Sequence, residues 1–166
     1  MDRSVQKILL ACAAGLGFVS SLVHPFGVVK AGKPEQDLLS GAIKNPQVIG
    51  VLERSCQDCH SYRTAWPWYS YVGPMSWLIE KDVANGRNHM NLSRWNEYSA
   101  DEQQAILARM SSVVRNRIMP LPHYLLLHPA AKLSPADTVQ IDRWSRMERR
   151  RLKSIAIPAK VGNSSR

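Results

Sequence analysis

The hydrophobic pattern begins with an uncharged, largely apolar run from Ile8 to Val29, preceded by the short basic lead Met1 to Lys7. About 20 apolar residues cross the hydrocarbon core of a bilayer, whereas the apolar part of a signal peptide is usually about 7 to 15 residues long. Length therefore favours an uncleaved anchor over residues 1–29. Gly15, Gly17, Ser20 and Ser21 dilute the run and leave cleavage after this small-residue patch as the alternative. A lipid-anchored reading through Cys12 is disfavoured, because too few apolar residues separate it from Lys7. Residues 30–44, with Gly32, Lys33, Pro34, Glu35, Gln36 and Asp37, have the composition of a polar linker.

Helical periodicity takes over from Asn45. Asn45 followed by Pro46 reads as an N-cap with proline at the first helical position, and Val48, Ile49, Val51 and Leu52 give the helix Pro46 to Arg54 an apolar side. A second helix is predicted from Pro74 to Asn85, with Trp77, Leu78 and Val83 inward and Gly86 as its stop. The clearest helix follows Ser99, which caps it with Glu102 completing a capping box. Ile106, Leu107, Met110, Val113 and Val114 recur at helical spacing, and the helix ends near Arg117. Met119-Pro120-Leu121-Pro122 cannot continue it and predicts a stiff extended loop. Ser134 to Asp137 start a last helix carrying Ile141 and Trp144, which frays into a basic tail over 154–166. The expected fold is all-α, one domain over 45–153.

The first of these helices delivers Cys56-Gln57-Asp58-Cys59-His60. Cys-x-x-Cys-His is the spacing that attaches a c-type haem: two thiols add across the two vinyl groups of one porphyrin, and the imidazole after the second thiol reaches the iron. A thioredoxin-type dithiol would place Cys-x-x-Cys after a strand in a βαβ setting, and no β-branched strand run precedes Cys56. A structural zinc site needs four ligands, and the remaining cysteine, Cys12, sits in the apolar run. The expected cofactor is one covalent haem, bound by Cys56, Cys59 and His60. Just beyond lie five aromatics in ten residues, Tyr62 to Tyr71. Such density is expensive to expose, and a porphyrin is a large flat surface for Trp66 and its neighbours to cover; ordinary core packing is the competing role.

Composition adds two constraints. Hydrophobic content of 45% and charged content of 21% over 166 residues are values for a chain that folds as one domain with an appendage. The net charge of +9 is mostly terminal: Arg143 to Arg166 hold eight Lys/Arg against one Glu. A basic run such as Arg149-Arg150-Arg151 would suggest nucleic acid in a cytoplasmic protein, but an exported chain does not meet the genome. A solvated helix end accounts for it, with attraction to anionic lipid or an acidic redox partner as the functional alternative.

The motifs Cys56-Gln57-Asp58-Cys59-His60-Ser61, Trp66-Pro67-Trp68-Tyr69-Ser70, Gly73-Pro74-x-Ser76-Trp77-Leu78-Ile79, Asp82 with Gly86-Arg87, Asn91-Leu92-Ser93-x-Trp95, and Met119-Pro120-Leu121-Pro122-x-Tyr124 with His128-Pro129 resemble the bacterial haem-binding domain family over roughly Val48 to Trp144. That resemblance implies a small cytochrome c-like helical domain, membrane-tethered, with a c-type haem, and leaves reaction and redox partner open. Its likeness to c-type cytochromes places the domain on the periplasmic side of the bacterial cytoplasmic membrane, which Arg3 and Lys7 against Lys30 and Lys33 do not decide.

For the second axial ligand, Met119 is the first choice. Its loop, about sixty residues beyond His60, resembles the ligand loop of small cytochromes c, and the flanking prolines restrict the backbone that holds the sulfur. His/Met ligation raises the potential into a range useful for carrying electrons. Met75 and Met90 compete, as do His89, His123 and His128, with His123 the nearest; methionine as filler beside the haem is the bland alternative. Arg87, helped by Asn91 and Trp95, is expected to meet a haem propionate, an anion that a guanidinium or indole N–H suits. One-electron transfer without substrate chemistry is the leading expectation. A haem peroxidase or gas or redox sensor with an open distal position, drawing on His89, His123 and Arg87, is the alternative.

Overall fold

The computed structural model describes residues 2–25 and 37–161. Among these residues the chain is all-α: α1 (Arg3–Ser21), α2 (Pro46–Ser55), α3 (Gln57–His60), α4 (Met75–His89), α5 (Ala100–Arg115), α6 (Pro122–Leu127) and α7 (Pro135–Val161), with 3-10 turns at Trp68–Tyr71, Leu92–Glu97 and Pro129–Ala131.

α1 is a 19-residue apolar helix, long enough to cross a membrane, with no buried residue. The other helices enclose one core. α5 and α7 make the most extensive helix pair, and Leu52, Leu92, Trp95, Leu107, Ile141 and Trp144 are almost wholly removed from solvent between them and α2. Burying an aliphatic or aromatic side chain of this size contributes about 1.5–3 kcal/mol, so this cluster is what sustains the fold.

Most helix ends form for the reasons visible in sequence. Asn45 Oδ1 accepts from the N–H groups of Gln47 and Val48 at 3.0 and 3.2 Å, with Pro46 at the first helical position. Ser99 and Glu102 form the reciprocal capping box at the start of α5. The end of α5 is less expected. Arg117 takes a left-handed φ of 56°, its N–H reaches Val114 O at 3.1 Å, and Ile118 N–H reaches Val113 O at 2.9 Å. This pair of bonds is a Schellman closure with arginine where glycine is usual, and it turns the chain out of α5 straight into Met119.

Several expectations are corrected. The stretch read as a linker up to residue 44 is described from Asp37 onward, and Leu38 and Leu39 in it are buried in the core. It is fastened to α7: Trp144 Nε1 donates to Ile43 O at 2.9 Å, and Ile43 N–H reaches the buried Glu148, which Arg151 pairs from one turn on. Arg151 also donates to Gly41 O. Part of the run read as a solvated basic end is therefore a structural clasp, and α7 continues to Val161.

Gly86 does not stop α4, which runs on to His89. The helix turns Ser76, Glu80, Val83 and Gly86 inward, whereas Trp77 is half-buried and Leu78 exposed. The α-helix expected to be absent after Met119 resumes at once as α6, because Pro122 occupies a first-turn position that needs no N–H donor.

Gly86 matters through what it lacks. A Cβ there would collide with the backbone carbonyl of Cys59 and stand 3.0 Å from the Cys59 Cβ. α3 can thus lie directly on α4, which is how the cysteine motif is positioned. Gly86→Ala should destabilise the protein by about 1–3 kcal/mol through overpacking, although alanine is the better helix former by about 1 kcal/mol. Chemical denaturation measures this, and a more stable variant would show that the close approach is not what the glycine serves.

Candidate haem site

Cys56 caps α2, and α3 supplies one further turn, with His60 N–H bonded to Cys56 O at 3.0 Å. Both thiols and the imidazole therefore sit on a single helical turn. Burial pushes the Cys56 thiol up to about 12, helped by Cys59; burial, then the carboxylates of Asp82 and Asp58, push the Cys59 thiol up to about 12. Neither is a thiolate at neutral pH, the reverse of a reactive redox dithiol. Both are free of disulfide.

His60 Nδ1 lies 3.1 Å from Met90 O. A carbonyl only accepts, so Nδ1 carries the proton and Nε2 is left with its lone pair for a metal. Burial also lowers the imidazole's proton affinity, which keeps it in the neutral form that ligates iron.

These groups open onto a cavity of about 640 Å³, within the range of cofactor sites. α5 contributes an apolar wall of Ile106, Met110, Val113 and Val114, and the segment between α5 and α6 contributes Met119, Pro120 and Leu121. The polar lining includes Asp58, Asp82, Glu102, His123, His89 and Arg109. Arg109 is the lining's single Lys or Arg side chain and has no ion-pair partner among the described residues.

The donor set fits a haem. Two protonated thiols and a neutral imidazole face a cavity with an apolar wall that also carries the Met119 thioether, donors that would suit a porphyrin and its iron. A bare metal ion is poorly served, since no group of three His, Cys, Asp or Glu side chains gathers as a cage among the described residues.

Of the residues singled out in the sequence, the structure brings Cys56, Cys59, His60 and Met119 to this cavity. Arg87, Trp66 and Trp95 do not line it. Arg87 donates from Nε to Ser61 O at 2.9 Å and from a terminal nitrogen to Thr64 Oγ1 at 3.0 Å, and lies over the Tyr62 ring at 5.2 Å. Its guanidinium secures the loop leaving the motif. Trp95 is fully buried in the core, edge-on to Tyr98, and its indole N–H has no hydrogen-bond partner among the described residues. The aromatic run does not roof the cavity either: Trp66 is half-buried and Trp68 is exposed.

Among the competing ligands, His128 is turned away into a stack on Tyr124 at 4.1 Å, with its Nε2 3.1 Å from the Tyr69 hydroxyl. His123 lines the cavity but its Nε2 meets Asp82 Oδ2 at 2.6 Å. His89 and Met90 also line it.

Two functional side chains were not legible as such. Asp58, between the cysteines, accepts from Ala65 N–H at 3.0 Å and from the Tyr124 hydroxyl at 2.7 Å. Burial and this bond push the Tyr124 hydroxyl well above its ordinary range, so it stays a donor. The pair ties the attachment turn to α6, 66 positions on. The only signal for it was the recurrence of both residues in the motifs shared with the haem-binding family. Arg109 gave no signal, because its place in the cavity depends on how α5 is rotated.

The model of the family described as haem-binding domain matches residues 17–147. The chain is also similar to the cytochrome c peroxidase Ccp of Escherichia coli strain K12, at 28% identity over 124 residues, 72% of this chain and 27% of that protein's length. It thus spans about a quarter of this curated relative. No solved structure gives a significant match.

Proposed function

The chain belongs to the haem-binding domain family, and from that premise we propose that it is a membrane-anchored monohaem c-type cytochrome carrying single electrons on the periplasmic side of the cytoplasmic membrane. The observation that carries this reading is the pairing of a tautomer-fixed, neutral His60 with Met119 in the lining of the same cavity. When bound, haem iron supplies the one-electron couple; the protein supplies attachment, axial ligands and environment.

Cys56 and Cys59 would hold the group covalently, each thiol being able to add across one vinyl group with its proton going to the adjacent carbon, so that no oxidant or reductant would be consumed. His60 would hold the iron through Nε2, with Met90 O orienting the ring from the opposite nitrogen. Met119 would supply the second protein donor. It leaves the Schellman end of α5 and is followed by Pro120 and the first turn of α6, so little backbone freedom remains to displace the sulfur. Arg109, rather than Arg87, is the guanidinium placed to meet a propionate, since Arg87 is engaged by Ser61 and Thr64. α1 is the anchor.

A second reading, a haem peroxidase or a gas or redox sensor with an open distal position, draws on the His123–Asp82 pair and Arg109 in the cavity lining and on the similarity to the Escherichia coli cytochrome c peroxidase. A carboxylate-oriented imidazole is a plausible proton acceptor. The presence of a thioether beside it favours the electron carrier.

Protein matured in a haem-attaching host should carry the mass of one additional haem, resistant to acid extraction, and the Cys56→Ala/Cys59→Ala double variant should carry none. Covalent haem on that variant would end the attachment proposal. The oxidised wild type should show a weak near-infrared iron–sulfur charge-transfer band that disappears in Met119→Ala, together with a fall in potential; survival of the band would assign the ligand elsewhere.

A further inference from the structure

The segment after the haem motif exposes two large aromatic side chains. Trp68 is 78% exposed, Tyr71 66% and Val72 44%. Rings of this size bury 150–250 Å² or so when they are covered, and leaving them in water forgoes that gain. Tyr69 between them stands edge-on to Trp68 at 5.8 Å and bonds His128. Trp68 and Tyr71 point outward instead.

The same segment grips the end of the membrane helix. Gly73 N–H donates to Ser21 Oγ at 3.3 Å. Trp77 Nε1 lies 3.1 Å from Ser20 O and 2.7 Å from Val23 O, two carbonyls at the end of α1. His24 Nδ1 meets Glu80 Oε1 at 2.6 Å. Gly73 is required by the closeness of the fit, as a Cβ there would stand 2.5 Å from Ser20 Oγ.

Nineteen helical residues extend about 28 Å, close to the roughly 30 Å of a bilayer's hydrocarbon core. Arg3 and Lys7, in the first turns, extend back to the opposite headgroup level, so the helix uses up the span and whatever bonds to residues 20–24 lies at the boundary between hydrocarbon and headgroups. Trp and Tyr favour that level, where the ring is covered and the N–H or O–H stays wet.

We propose that residues 66–78 are a membrane-interface seat, with Trp68 and Tyr71 inserted among phospholipid headgroups, holding the haem cavity at a fixed attitude to the membrane. The seat rests on the reading of α1 as a membrane span. The occupant is lipid rather than a protein partner because the patch is continuous with the end of a helix already committed to lipid.

The test uses the full chain with haem, reconstituted in nanodiscs of phosphatidylethanolamine and phosphatidylglycerol, in a Cys12→Ala background. Single variants Trp68→Cys, Tyr71→Cys, Leu10→Cys and Asp101→Cys are treated with a charged, water-soluble maleimide. Asp101 is an exposed position on α5 and gives the aqueous rate. Cysteines at 68 and 71 should react about tenfold more slowly than at 101, as expected for side chains withdrawn into the interface. Reaction at both positions as fast as at 101, with position 10 protected, would overturn the seat and leave the patch facing water. Fast reaction at position 10 would overturn the membrane span itself, and the seat with it.

Discussion

The contact of the Cys59 carbonyl with Gly86 is the constraint on which the site depends. It sets α3 directly against α4, and the neighbouring turn then brings Met90 O within 3.1 Å of the His60 ring. A haem ligand has to present one nitrogen, in one tautomer, in one direction. Here that choice is made by a backbone carbonyl, which cannot rotate away as a side chain can. Asp58 makes the second tie, from between the two cysteines to Tyr124 on α6. The short α3, which contributes only four residues, is thus braced from both sides by groups that are themselves buried or packed.

The remainder of the domain places the other wall. α5 packs along α7 and turns Ile106, Met110, Val113 and Val114 to the cavity, while the closure at Arg117 directs the chain into Met119. The clasp of Glu148 and Arg151 on residues 41–43 seals the opposite side of the core. Burying a carboxylate such as Glu148 is costly unless it is paired, and Arg151 with the Ile43 N–H supplies the partners. Recognition of haem is then a matter of one turn, one wall and one loop, each held by a different part of the fold.

Much of this could be read from the chain. The pentapeptide at Cys56 to His60 pointed to haem, which the family supports, because its spacing follows the porphyrin and not the fold. Asn45-Pro46 and Ser99 with Glu102 gave helix starts because caps are local. What failed was whatever depended on neighbours distant in sequence. Gly86 reads as a helix stop until Cys59 is seen against it. Arg87 reads as a propionate partner until Ser61 and Thr64 claim it, and Leu38 and Leu39 read as linker until Ile43 is found bonded to Trp144, about a hundred residues on. Trp66 reads as cover for a porphyrin because aromatic density is visible in sequence, and Trp95 as a propionate partner because an indole N–H can donate, but the direction a ring faces is not visible there.

The account's central claim is that this domain carries electrons through an iron closed by two protein ligands. Carbon monoxide titration of the reduced, purified holoprotein, followed by absorption spectroscopy, tests it most directly. The account predicts a sharp low-spin spectrum that carbon monoxide leaves unchanged, as Met119 in the proposed role of second ligand would require. A high-spin spectrum that shifts stoichiometrically on adding the gas would contradict it and establish an open distal site.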